Sequence, residues 1–360
     1  MGKIKLFDPI IDNYEKNAIN RVLESKFWAS GAGNGEVKKF EEKFLKYVNS
    51  KSCVAVNSGT AALNLALSIY DIKNKEVILP SLSFVSTAHA VVLNGGIPIF
   101  ADVEEKTLCI DPIEIKKLIS KRTKVIIPVH FGGLSANLSE INQICDQNNI
   151  HIVEDAAHAA GTSYQNKKIG SYGDIVCFSF HPVKNLAMPT GGLLAINTKN
   201  HKEIAKKLKE KRWCGITNRK DSEYDVKDIG WNYYMNEFSA AIGIVQLKKL
   251  NKLNKIRKNI AKLYSKNINL ENKMPFDKNC SYHIYWIRVN NQNQFRKKMF
   301  EVGIETGLHY KPIHTFSMYK QKNQLPITEQ VGKEIISIPI HPNLSIDEIN
   351  KIIFYVNKFS

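Results

Sequence analysis

The sequence predicts an α/β protein of two domains, a large one at residues 1–245 on a mostly parallel sheet and a smaller α+β one at 246–360. Three observations carry this. Seven short apolar runs between residues 50 and 200 alternate with stretches of helical periodicity, and strand–helix–strand succession implies parallel strands covered on both faces. A chain of 360 residues exceeds one small module. Beyond a long basic helix the texture changes to isolated strands and helices.

In chain order, "CVAV" (53–56), "EVILP" (76–80), "IPIFADV" (97–103), "KVIIPVHF" (124–131), "IHIVED" (150–155), "DIVCFSF" (174–180) and "GLLAIN" (192–197) read as buried strands. "TAALNLALSIY", "SFVSTAHAVVL", "PIEIKKLISK" and "SEINQICDQNN" read as the helices between the earlier ones. Only one short segment separates the last two strands, so an antiparallel pairing is expected there. "QLKKLNKLNKIRKNIAKLYSKN" (246–267) has Leu247, Leu250, Leu253, Ile256, Ile260 and Leu263 spaced by three or four, an amphipathic helix. "SYHIYWIRV" (281–289) and "IISIPI" (335–340) then read as strands; "NQFRKKMFEVG" and "SIDEINKIIFYVNKF" read as helices.

Hydrophobic content of 43% allows a sizeable core. The N-terminus turns polar at once, unlike a signal peptide, and the apolar runs are too short to cross a bilayer. The expectation is a soluble, cytoplasmic protein without membrane contact. Six cysteines, none in a C-x-x-C pair, suggest neither a metal site nor a disulfide framework, but buried or half-buried thiols. The net charge of +17 is spread along the chain, and its densest run coincides with the outer face of the amphipathic helix. That pattern favours a solvated face over a nucleic-acid footprint.

Open α/β sheets bind ligands beyond the carboxyl ends of their strands. Four features fall there. In "VNSGTAALNLAL", Ser58, Gly59 and Thr60 stand between strand and helix, where free amides and the helix dipole make an anion site; alone, the motif reads first as an ordinary N-cap. In "IVEDAAHAAG", Asp155 ends a buried strand and could be a cap, a metal ligand or the partner of a protonated ring nitrogen. In "FSFHPVKNLAMPTGG", Lys184 follows a strand end, with Ser179 five residues before it. A lysine held there is able to form a Schiff base with a carbonyl cofactor. In "LPSLSFVSTAHA", Phe84 offers either a stacking face or a core side chain. Together they supply a phosphate cradle, an acid for a ring nitrogen, an aromatic face and an aldehyde-trapping amine, which are the needs of pyridoxal phosphate.

The chain resembles the DegT/DnrJ/StrS-type sugar aminotransferases, pyridoxal-phosphate enzymes of the aspartate-aminotransferase-like fold type I. "FWASGAGNGEVKKFEEKF", "VNSGTAALNLAL", "PSLSFVSTAHAV", "VEDAAHAAG", "CFSFHPVKN", "GWNYYMNEFSAAIGIVQL", "IETGLHYKPIH" and "SIPIHPNLS" occur in family order nearly end to end. The resemblance implies that Lys184 and Asp155 are catalytic, the first binding the cofactor covalently and moving a proton, the second keeping the ring nitrogen protonated. It implies that Phe84 stacks on the ring, that Gly59, Thr60 and Ser179 hold the phosphate, and that His158, where the family usually has Gln, lies near the phenolic oxygen. Asn232 is implied to reach the phosphate of a neighbouring subunit, hence a homodimer. His309 and Tyr310 are implied to line the substrate cleft. The implied substrates are glutamate and a nucleotide-linked keto-sugar, with a cyclitol ketone as the alternative.

Two positions depart from the family. Thr190 stands where an acid is common and Tyr234 where an arginine is common, a joint loss expected if the two normally pair. Lys184 argues against the dehydrating branch, which has histidine there. A dinucleotide-binding reading of "GAGNGE" fails on glycine spacing and on the lack of a preceding strand. A regulatory or nucleic-acid-binding protein on the same scaffold remains the non-enzymatic alternative.

Overall fold

A computed structural model describes residues 3–320 and 324–360. All seven expected strands form, and they make one sheet: β1 (Ser52–Val56), β2 (Glu76–Pro80), β3 (Ile97–Ala101), β4 (Thr123–Ile126), β5 (His151–Asp155), β8 (Ile175–Ser179) and β9 (Gly192–Ile196). Between β5 and β8 lies a small hairpin, β6 (Ser163–Tyr164) with β7 (Lys167–Lys168). The sheet order is β1-β9-β8-β5-β4-β2-β3. Pairs from β3 through β8 are parallel, whereas β9 runs antiparallel to both β8 and β1, as the short connection requires.

Both faces of the sheet are buried, which is why its strands read as continuous apolar runs. Val54 and Val56 pack with the helix Gly59–Leu67, while Cys53 and Ala55 point to Phe40, Phe44 and Leu250 on the other side. Local chemistry sets the helix ends. Ser58, Asp111 and Asn137 each accept a backbone N–H at the start of a helix, and Pro112 follows Asp111 in the first turn. Asp12 with Glu15, and Ser345 with Glu348, form capping boxes.

The basic helix begins earlier than the periodicity suggested, spanning Glu237–Asn267 and capped by Asn236. Its N-terminal stretch is small and buried, so it lacks a polar face to mark it. Residue 245 lies inside this unbroken helix: Leu247 and Leu250 pack with Phe40, while Ile260 and Tyr264 pack with Trp286. Two exposed polar strands that the sequence did not announce, β10 (Ile216–Lys220) and β11 (Glu223–Val226), form a hairpin. The C-terminal part holds the antiparallel pair β12 (Tyr285–Arg288) and β13 (Ile335–Ile338). Its core is continuous with Ile78, Ile126 and Ile152 of the large sheet.

Five cysteines are buried; Cys214, against expectation, is exposed, at the turn (φ 53°) after the helix His201–Lys211. Among the described residues no helix is long and apolar enough to cross a membrane, and no His/Cys/Asp/Glu cluster could hold a metal.

Candidate active site

Gly192 pairs with both Val56 and Ser179, so the ends of β1 and β8 and the start of β9 meet at one edge of the sheet. There a cleft of about 300 Å³ opens. Gly59, Thr60, Phe84, Asp155, His158, Ser179, Lys184, His309 and Tyr310 all line it, although they come from distant stretches of chain. Asn232 does not. It is exposed, and its carbonyl accepts a hydrogen bond from Asn57 Nδ2 at 3.2 Å.

The anion end of the cleft follows from close approach. Ser58 Oγ accepts the Ala61 N–H at 3.1 Å, and among the described residues the amides of Gly59 and Thr60 have no partner. A Cβ on Gly59 would fall 2.7 Å from Ser179 Cβ, so only glycine lets the helix start lie against the strand end. Two free amides, a helix N-terminus and the Ser179 hydroxyl form a cradle suited to a phosphate.

Asp155 is buried at the end of β5. Its Oδ2 accepts from Thr87 Oγ1 at 2.9 Å and its Oδ1 from the Ala157 N–H at 3.1 Å. Burial raises its pKa, against the lowering effect of those hydrogen bonds, so the carboxylate calls for a positive partner. A protonated ring nitrogen would supply one.

Lys184 sits in a braced turn. Its N–H donates to His181 O at 2.8 Å, and the next residue, Asn185, donates to Asn254 Oδ1 and Ser281 O. The side chain keeps some exposure to the cleft, yet forms no ion pair with Asp155 or any other described carboxylate. Loss of hydration pushes its amine down to about 8, with Asp155 pulling the other way. Its Nζ lies 3.3 Å from His283 Nε2. His283 was not among the expected site residues. It lies in "SYHIYWIRV", where periodicity marks a strand, and only the fold brings it within reach of a lysine 99 residues away.

His158 Nδ1 accepts the Gly132 N–H at 3.2 Å, which leaves its proton on Nε2, 3.0 Å from Tyr310 Oη. Burial holds this imidazole neutral by lowering its pKa well below the usual value. Its one N–H therefore faces Tyr310, and the tyrosine hydroxyl is the group free to donate onward. Phe84 is 56% exposed, a cleft wall and not a core residue. His309 Nδ1 lies 2.9 Å from Ser337 Oγ, and burial pushes its pKa down to about 4. Thr190 donates to Asn57 O. The Asn57 N–H donates to the Tyr233 carbonyl at 2.7 Å, so within the chain Asn57 links Thr190 to the residue beside Tyr234.

The model of the DegT/DnrJ/EryC1/StrS aminotransferase family matches residues 9–357. This chain belongs to that family. It is therefore a pyridoxal-phosphate-dependent aminotransferase of fold type I, not a regulatory protein on the same scaffold. It is 35% identical to the dTDP-3-amino-3,6-dideoxy-alpha-D-galactopyranose transaminase of Aneurinibacillus thermoaerophilus, covering 96% of this chain and 94% of that one. It is 31% identical to the GDP-perosamine synthase of Escherichia coli O157:H7, covering 100% and 99%. Among solved structures, Helicobacter pylori PseC, an aminotransferase involved in the biosynthesis of pseudoaminic acid, superposes with a TM-score of 0.92 at 30% identity over 99% of both chains.

Proposed function

We propose that this aminotransferase moves the amino group of L-glutamate onto a ketone of a nucleotide-linked sugar, in the cytoplasm, for surface polysaccharide or other glycan assembly. The observation that carries this reading is one cleft joining Lys184, Asp155 and the Ser58–Thr60 cradle, in a chain aligned end to end with a GDP-perosamine synthase. An active homodimer is part of the proposal. The exposed side chain of Asn232, outside its own cleft, supports a role in a neighbouring one.

Bound pyridoxal phosphate supplies an aldehyde and an electron-withdrawing ring. The protein does the rest. The amides of Gly59 and Thr60 and the Ser179 hydroxyl would hold its phosphate, and Phe84 would cover a ring face. Asp155, oriented by Thr87 and Ala157, presents negative charge to a ring nitrogen and so stabilises its proton. Lys184 needs a neutral amine to condense with an aldehyde, and its lowered pKa provides one at only mildly basic pH. With the cofactor bound, the same Nζ would serve as the base and acid that moves a proton at the donor carbon and, in the second half-reaction, at the sugar carbon. The donor's nitrogen would stay with the enzyme after the keto acid leaves and pass to the ketone in the second half-reaction, so ping-pong kinetics are expected.

The test is mass spectrometry of products from nucleotide-linked 3-keto and 4-keto sugars incubated with glutamate. An aminated nucleotide-sugar is the expected product. Amination of a cyclitol ketone, with all nucleotide-linked ketones refused, would contradict the substrate class.

A further inference from the structure

One buried histidine, His283, reaches Lys184 from the C-terminal part of the chain without lining the cleft itself. It stands two residues before β12, and its N–H donates to Gly132 O at 2.9 Å. Phe7 stacks on its ring at 5.6 Å, and the His158 ring lies 4.5 Å away. Backbone and ring are both held, with Nε2 at 3.3 Å from Lys184 Nζ.

A neutral imidazole carries hydrogen on one of its two nitrogens. Burial keeps His283 neutral by lowering its pKa well below the usual value, reinforced by Lys184, His158, Arg257 and His309. In His158 the Gly132 N–H occupies Nδ1 and fixes the ring proton on Nε2. In His283 the buried Nδ1 has no hydrogen-bond partner among the described residues. The ring proton is therefore free to sit on Nδ1, which leaves Nε2 open as an acceptor. An ammonium has three N–H donors and nothing to accept with. A protonated Lys184 thus meets His283 in one way, by donating to Nε2.

The chemistry gives this contact a use. When Lys184 takes a proton from the donor carbon, the C–H bond breaks, its electron pair stays with the substrate, and an N–H bond forms at Nζ. A positive charge then appears where loss of hydration disfavours it. Asp155 pulls the other way without pairing with Nζ, its oxygens being hydrogen-bonded to Thr87 and Ala157. A carboxylate against Nζ would hold it as an ammonium throughout and spoil it as a base. An apolar wall would leave the new charge unsupported. A neutral acceptor lies between these limits, stabilising the charged form by one charge-assisted hydrogen bond and releasing it again.

We propose that His283 is a positioning residue for proton transfer: its Nε2 accepts an N–H of Lys184 whenever that amine is free and protonated, supporting the charge between removal of a proton from one carbon and its delivery to the next. The proposal rests on the role of Lys184 proposed above.

In apo protein, competitive acetylation of Lys184, followed across pH by mass spectrometry, gives the acidity of its amine. Wild type should titrate at about 8. H283L, which removes the acceptor, should titrate about one unit or more lower; H283Q, whose side-chain carbonyl can take the place of Nε2, should stay with the wild type. In holoenzyme, the glutamate half-reaction measured in a single turnover should slow roughly tenfold or more in H283L, with a larger isotope effect from α-deuterated glutamate and unchanged glutamate affinity. H283Q should recover most of that rate. Thermal melts check the folding of each variant, and H283N, too short to reach Nζ, replaces H283L if that one is unstable. Wild-type amine acidity and half-reaction rate in H283L would overturn the assignment of His283 and leave the role of Lys184 standing. Equal slowing in H283L and H283Q with the amine unmoved, the mark of lost packing, would overturn it too. Normal turnover by K184A would overturn the role of Lys184 and this proposal with it.

Discussion

Arg212 and Lys184 are both cations enclosed by this fold, and the protein treats them in opposite ways. Arg212, fully buried, donates to Glu41 Oε1 at 2.6 Å, to Ala55 O at 2.7 Å and to Ala32 O at 3.1 Å. Glu41 in turn accepts the Ala55 N–H and pairs with Lys209 at 3.2 Å. Lys184 has a histidine ring and no carboxylate in reach. The nearby acid, Asp155, is turned toward Thr87 and Ala157. A carboxylate-paired charge ties the helix Glu36–Val48 to β1; one without a carboxylate partner is kept at the sheet edge.

The contrast breaks first at Lys184. Lys184→Ala should keep the fold and lower turnover by at least about 10³-fold, since on the proposed function it removes both the covalent anchor and the proton carrier; steady-state assays alongside circular dichroism would check both halves. Arg212→Ala should do the reverse. Leaving Glu41 buried and short of its partner should cost about 3–5 kcal/mol in urea unfolding, while activity per folded molecule stays near that of the wild type. Asp155→Asn comes next, retaining cofactor absorbance but losing about 10²-fold in turnover, measured as kcat at saturating substrate.

The smallest effect sharpens the comparison through pH. Because the Lys184 amine is pushed down to about 8 from the ordinary 10.5, the unfolded chain binds its proton more tightly than the folded one. The cost of holding that charge is fully present below about 8 and fades as pH rises toward 10.5. Apo protein should therefore gain stability over that interval relative to Lys184→Met; chemical denaturation at several pH values would measure the narrowing gap.

The two regions also differ in how legible they were. The Lys184 cleft was readable because strand ends announce themselves: an apolar run stops and Ser58-Gly59, Asp155 or His181-Pro182 follows. Gly59, Thr60, Phe84, Asp155, Ser179 and Lys184 line one cavity for that reason, joined there by His158, His309 and Tyr310, to which only the family resemblance pointed. The Arg212 cluster was invisible, since Glu41 lies 171 residues away on a helix face that reads as ordinary surface charge. His283 was hidden inside a strand pattern, because periodicity reports burial and not what a buried face touches. The hairpin β10–β11 went unread because its strands are polar and largely exposed, without the alternation that marks a half-buried strand.

The central claim is that the unpaired amine at the sheet edge is the one that captures the aldehyde. Protein incubated with pyridoxal phosphate, reduced with borohydride and digested should yield a single modified peptide, "FSFHPVKNLAMPTGG", with the cofactor on Lys184. Reduction products scattered over the many surface lysines, or an unmodified Lys184 beside another labelled residue, would contradict it.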